Sequence, residues 1–190
     1  MSDAKPSPSA RKVELLEAAY QYVLGHGLAD MSLRPLAEAL GSSPRVLLFL
    51  FESKEGLIRA LLERAQQDEV SLLQDFGVEA ARPPGLAAAV GQLWQWLSDP
   101  QHEPLLRLWA ESYVRSLVEP DGPWAGFAQQ TVAQWLAFLE RCQDEPAGAN
   151  SLASRSLALA ALRGSVLDLL ATGDRERTSA AIDLLVKNLR

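Results

Sequence analysis

Apolar residues recur along this chain at steps of three and four, and no segment alternates in the way a half-buried strand does, so the pattern predicts helices throughout. A first helix, from about Ala10 to Leu24, places Val13, Leu16, Ala19, Tyr20 and Val23 on one face, and Gly25 and Gly27 are expected to stop it. The second helix uses Leu33, Leu36, Ala37 and Leu40, and a short third helix follows a turn at Gly41. The fourth runs from Ser53 to about Phe76, with Leu57, Leu61, Leu62 and Ala65 inward and Leu72 and Phe76 continuing the stripe. After a loop over residues 77–85, a fifth helix carries Leu86, Val90, Leu93 and Leu97 and breaks at Asp99-Pro100. A sixth, about Glu103 to Leu117, offers Leu105, Leu108, Trp109, Ser112 and Tyr113. The seventh has the clearest stripe of all: Trp124, Phe127, Thr131, Trp135, Phe138 and Cys142. A loop over residues 144–150 precedes helix eight, about Ser151 to Ala171, and helix nine, about Asp174 to Leu189. The expected fold class is all-α with about nine helices.

Residues 32–57 hold three helix starts with a glycine turn between the first two, which is the grammar of a helix-turn-helix. Ser32 is placed to cap the second helix, and Pro35 falls in its first turn, where a missing N–H costs little. Gly41 ends that helix, because glycine adopts the left-handed conformation at C′ without a Cβ clash. Ser43 caps the third helix with Pro44 at its first position, and Ser53 caps the fourth. A short helix entered through Ser-Pro-Arg is shaped to offer its N-terminal side chains to a DNA groove. The candidate DNA-binding residues are Arg34, Ser43, Pro44, Arg45, Val46, Phe49 and Lys54.

The net formal charge of −6 argues against a nucleic-acid binder until it is divided along the chain. Residues 1–65 carry eight basic and eight acidic side chains, so the whole acidic excess lies beyond them. A neutral reading head on an acidic body is compatible with DNA binding and predicts weak non-specific affinity. Met1 to Ser9 reads as a disordered arm, and Lys5, Arg11 and Lys12 either reach a phosphate or the minor groove or belong to a solvated tail. No apolar run approaches the length needed to span a bilayer, no signal peptide is recognisable, and a single cysteine, Cys142, suits a reducing compartment. A cytoplasmic protein is expected.

Catalysis lacks residues to stand on. His26 and His102 are the only histidines, and the usual metal, nucleophile and phosphate-cradle motifs are missing, so neither an enzyme nor a cofactor is expected. All five tryptophans fall in helices five to seven. Core packing accounts for such residues in general, whereas their clustering points to a ligand cavity lined by Trp94, Trp109, Tyr113, Trp124, Phe127 and Trp135. Glu111 lies between Trp109 and Tyr113, where it either meets a cationic ligand or faces solvent. Helix eight is apolar on more than one face, and Gly164 in its middle suggests close approach by another helix. Ile182, Leu185, Val186 and Leu189 give helix nine a second-partner face, so a homodimer through helices eight and nine is expected, the alternative being burial of both faces within one subunit.

Gly27, Ser32, Leu33, Arg34, Leu36, Ala37, Gly41, Ser43, Leu47, Phe51, Ser53, Lys54 and Leu57 stand in the order of the N-terminal domain of the TetR family of bacterial repressors, and the chain resembles that family over about its first third. The stretch Leu-Leu-Ala-Thr-Gly-Asp-Arg-Glu-Arg at 169–177 is similar to the join between the last two helices of many members. The resemblance implies a helix-turn-helix domain at residues 1–55 and a ligand-binding and dimerising domain at 56–190, with helix four as the lever between them. It further implies a homodimeric regulator of transcription that binds a double-stranded DNA operator, most simply a repressor released by a small apolar or aromatic effector. Leu48, Phe49 and Leu50 replace the family's Tyr-Tyr-His trio, which removes the hydroxyls and imidazole that meet the DNA backbone. That departure supports a rival reading: a TetR-like small-molecule-binding protein that has lost DNA binding.

Overall fold

The computed structural model describes residues 8–28, 31–75, 83–143 and 151–189. Among them are nine α-helices and a single 3-10 turn, in the order α1 (Pro8–His26), α2 (Leu33–Ala39), α3 (Pro44–Phe51), α4 (Lys54–Asp75), α5 (Leu86–Leu97), the turn Pro100–His102, α6 (Glu103–Val118), α7 (Phe127–Cys142), α8 (Ser151–Thr172) and α9 (Arg175–Asn188). No strand occurs among the described residues, so the fold is all-α as the periodicity predicts. The expected arm up to Ser7, Phe76, the loop residues 77–82 and the loop 144–150 lie outside the described residues.

The contacts divide the chain into two compact units, one of residues 1–67 with 107–128 and the other of residues 68–106 with 129–190. The first unit thus takes in most of α6 and the turn after it, a boundary distinct from the one drawn at residue 55. Its core is one cluster. Leu15, Ala19, Tyr20 and Val23 of α1 meet Leu36 and Ala37 of α2, Leu47 and Phe51 of α3, and Leu57, Ile58, Leu61, Leu62 and Ala65 of α4, and Leu108, Trp124 and Phe127 join them. Two details of α1 differ from the periodic reading: Val13 is exposed while Leu15 takes the inward place, and Gly25 lies inside the helix. Gly27 alone ends it, at φ +78.

In the second unit α5 packs against α8 and α9, which also pack on each other. Leu86, Val90, Leu93 and Leu97 are buried along α5, and the Trp94 indole N–H donates to Ser179 Oγ at 2.9 Å. Gly173, at φ +69, turns the chain after α8, and Asp174 caps α9 by accepting from the Arg177 N–H at 3.0 Å. The Arg177 guanidinium reaches back to Asp168 at 2.7 Å and holds that carboxyl below its usual range. Cys142 is buried, which pushes its thiol pKa up and leaves it a small core hydrophobe.

Of the residues expected to give α9 a second-partner face, Ile182 is buried inside the chain, while Leu185, Val186 and Leu189 remain partly exposed. Leu184 is the exposed large apolar residue of α9. On α8 the exposed residues Ala153, Leu157, Ala160, Gly164, Leu167 and Ala171 are spaced alternately by four and three. Gly164 has nothing within 4 Å of where its Cβ would lie, so among the described residues no other helix approaches it closely.

Candidate nucleic-acid interface

The two helices of the helix-turn-helix are joined through Gly41, at φ +57, whose N–H reaches the Glu38 carbonyl at 3.0 Å while the Ser42 N–H reaches Ala37 at 2.8 Å. Ser43 caps α3, its hydroxyl accepting from the Val46 N–H at 3.3 Å. Ser32 takes the extended backbone of an N-cap, but its side chain makes no capping bond. Ser53 caps α4 by accepting from the Gly56 N–H at 2.9 Å.

These starts converge. Met31, Ser32, Leu33, Arg34 and Pro35 at the head of α2, Pro44 at the head of α3 and Lys54 at the head of α4 line one open depression of about 860 Å³. Arg34 and Arg45 are exposed, Lys54 is partly exposed, and no ion pair ties up any of the three among the described residues. The first turn of α4 is less open to an anion than its position suggests. Glu55 accepts from its own backbone N–H and from Ser53, which lowers its pKa and leaves a carboxylate where a phosphate would compete. Of the expected arm cations, Arg11 pairs with Glu14 at 2.7 Å, Lys12 stands 5.3 Å from the centre of the Phe51 ring, and Lys5 lies outside the described residues.

α3 presents two faces. Leu47 and Phe51 are buried at 1% and 4% exposure, anchoring it to the core. Arg45, Val46, Leu48 and Phe49 form the other face, with Phe49 77% exposed. Leu48, Phe49 and Leu50, which carry no group to meet a phosphate, therefore divide: Leu50 is half-buried against the core, whereas Leu48 and Phe49 face outward.

The six aromatic residues expected to line one cavity are divided between the compact units. Trp109, Tyr113, Trp124 and Phe127 belong to the first, where Trp124 and Phe127 are core residues and Trp109 and Tyr113 pack against that core. Trp124 sits in the turn before α7 rather than on the helix. Trp109 and Tyr113 lie side by side, ring centres 5.4 Å apart. Trp94 and Trp135 belong to the second unit, where packing and internal hydrogen bonds engage both. The Trp135 indole N–H donates to Glu69, a carboxyl whose pKa is raised by burial, against the pull of the Trp135 bond, of Arg163 and of Thr131. Sequence periodicity alone does not single out Glu69, since it sits among polar neighbours in the second half of α4. Glu111 is partly exposed, and its carboxylate accepts from the Leu28 N–H at 3.0 Å, so part of its bonding capacity is used within the first unit.

Among the described residues no group of three or more His, Cys, Asp or Glu side chains is placed to hold a metal ion, and no helix is long and apolar enough to cross a membrane. No protein-family model matches the chain. It is 26% identical over 160 residues to the HTH-type transcriptional regulator EthR of Mycobacterium tuberculosis, covering 83% of this chain and 73% of that one. A TetR transcription regulator from Haloarcula marismortui superposes with a TM-score of 0.74 at 18% identity, over 95% of this chain and 97% of its own. The multidrug binding protein EbrR, solved in complex with imidazole, superposes with a TM-score of 0.67 at 20% identity, over 93% and 89% of the two chains. A capped helix-turn-helix followed by a helical body, matched end to end by these structures, gives this chain the fold of the TetR family of transcriptional regulators.

Proposed function

We propose that this chain is a cytoplasmic, homodimeric DNA-binding transcriptional regulator whose operator affinity responds to a small-molecule effector, and that it is not an enzyme. The observation that carries this reading is the convergence of Arg34, Pro44 and Lys54 on one open depression at the heads of α2, α3 and α4. Arg34 and Lys54 suit phosphate contacts, which position a protein on the duplex, while Arg45 on α3 suits the bidentate contact to guanine. The relatives support it, since EthR is an HTH-type transcriptional regulator and EbrR binds small molecules.

The dimer follows from α8. Exposed residues at alternating steps of four and three form a coiled-coil-like seam, and here every one of them is Ala, Gly or Leu. With Leu184 on α9 they leave an apolar face that a second copy would cover. Two heads on one dimer would address half-sites about 34–36 Å apart. Release of a repressor by a small apolar or aromatic effector is the mode of regulation this reading favours. The effector is proposed to bind in the second unit, where Gln134 Oε1 is buried without a hydrogen-bond partner and would offer a polar anchor.

The rival, a small-molecule-binding protein without DNA contact, is favoured by one observation: Val46, Leu48 and Phe49 make the outward face of α3 largely apolar. Selection of bound duplexes from a random pool at low salt separates the two. Enrichment of a palindromic motif supports the regulator, and an unenriched pool together with saturable ligand binding supports the rival.

A further inference from the structure

Resting on the DNA-binding reading above, we infer that the outward face of α3 reads thymine methyl groups, with Phe49 and Val46 as the specificity-determining residues and Arg45 as the one polar reader. The chemistry of the face leads there. Of the four outward side chains of α3, Arg45 alone carries hydrogen-bond donors; Val46, Leu48 and Phe49 carry neither donor nor acceptor and are 38%, 40% and 77% exposed. The helix is held firmly for the purpose, since Ser43 caps its start and Leu47 and Phe51 bury its other side.

Duplex DNA offers an apolar side chain only one apolar group in the major groove, the C5 methyl of thymine. Cytosine lacks that methyl, and every other edge in the groove presents donors or acceptors that an apolar side chain would desolvate without replacing. The occupant is a duplex rather than a protein surface because the depression that Pro44 lines at the head of this helix carries Arg34 and Lys54, unpaired among the described residues, as a phosphate-bearing partner requires. The half-site expected is therefore a guanine contacted by Arg45 next to one or more thymines.

The experiment starts from the motif selected out of a random duplex pool. Each thymine in the motif is replaced by deoxyuridine, which removes the methyl and keeps every hydrogen-bonding group. The full-length wild-type protein should bind the altered site about fourfold more weakly per critical thymine, or about 0.8 kcal/mol, the scale of burying one methyl-sized group. Phe49→Ala, which changes an exposed side chain and should leave the helical circular dichroism unaltered, should bind the thymine and deoxyuridine sites equally. If the selection enriches nothing, the regulator reading falls. If a motif is enriched and depends on Arg45, yet no thymine-to-uridine replacement weakens binding, the methyl readout is overturned and the regulator reading stands. A methyl effect of the same size in both Phe49→Ala and Val46→Ala overturns the assignment to these side chains.

Discussion

The Phe51 carbonyl oxygen occupies the place where a side chain on Gly56 would have to go. The cause is the short joint between α3 and α4. Glu52 is the one non-glycine residue with positive φ among the described residues, at φ 70 and ψ −42, and the Ser53 N–H reaches the Phe51 carbonyl at 2.8 Å across it. This is a γ-turn in its strained, positive-φ form. α3 is thereby coupled to the start of α4 through two residues, Glu52 and Ser53. Gly56→Ala should destabilise the protein by about 1–3 kcal/mol, the usual cost of forcing atoms into filled space. Glu52→Gly should leave stability unchanged or raise it by up to about 1 kcal/mol, as relief of strain is set against the greater chain entropy of glycine. Urea denaturation midpoints of the two variants should move in opposite directions, or the first alone should move.

A second joint is held by Glu111. Its carboxylate accepts the Leu28 N–H just beyond the end of α1, and its other oxygen is buried without a partner. Gly27 is confined beside it: φ is +78, and a Cβ there would stand 3.2 Å from Glu111 Oε2. Glu111→Ala should cost about 1–3 kcal/mol, since a buried backbone donor is left unsatisfied. Gly27→Ala should cost about 1 kcal/mol or more through its backbone conformation alone. Thermal unfolding of each variant measures this, and a Glu111→Ala protein as stable as the wild type would show that water replaces the carboxylate.

Much of this was legible in the sequence because it is local. Gly41, Ser43-Pro44 and Ser53 specify turns and caps through their own backbone chemistry, so the helix-turn-helix could be read without knowing its neighbours. The stripe from Phe127 to Cys142 was equally plain, since all of its expected residues are buried. What could not be read is how faces are shared between elements. Trp109 and Trp135 look alike as helical aromatics, yet they belong to different compact units, and periodicity carries no information on that. Leu184 and Leu185 are adjacent and chemically identical, and only packing against α5 and α8 decides which one faces out. Glu69 and Glu111 are not legible for a related reason: each is polar by sequence but engaged by a group far along the chain.

Glu69 makes stability depend on pH in a definite direction. Its pKa in the folded protein is raised above 4.5, chiefly by burial, so between 4.5 and the raised value the folded state binds a proton that the unfolded state has released. Its contribution to stability therefore falls as pH rises through that window, and above it the cost of an ionised buried carboxylate is fully present. Glu69→Gln keeps an oxygen acceptor for the Trp135 N–H and removes the charge. The variant should be more stable than the wild type at neutral pH, with the difference shrinking as pH is lowered toward 4.5. A difference that is constant across this range would assign the effect to packing rather than ionisation.

The seam on α8 makes the proposed dimer easy to break. A charge at Leu167 or Leu157, 46% and 58% exposed in the single chain, would be buried unpaired against the second copy. Light scattering of the wild type should give twice the 20.7 kDa chain mass at micromolar concentration. Leu167→Asp should give the chain mass with helical content retained. A substitution at the buried Ile182 should instead unfold the second unit, which distinguishes loss of an interface from loss of a core.

Arg45 and Lys54 are expected to fail in different ways when removed. Arg45 is on the outward face of α3 and offers a planar pair of donors, so Arg45→Ala should cost about 1–3 kcal/mol on the selected site and relax preference at one base pair. Lys54 lines the depression, where the proposed contact is to phosphate and not to a base edge, so Lys54→Ala should weaken all duplexes alike. Its signature is the salt dependence: the slope of log affinity against log salt should fall by about one for each head that loses a phosphate contact. With no net charge over residues 1–65 to supply long-range attraction, these few contacts carry most of the electrostatic affinity, and the wild-type slope should itself be shallow. A steep wild-type slope that Lys54→Ala leaves untouched would place the phosphate contacts elsewhere on the head.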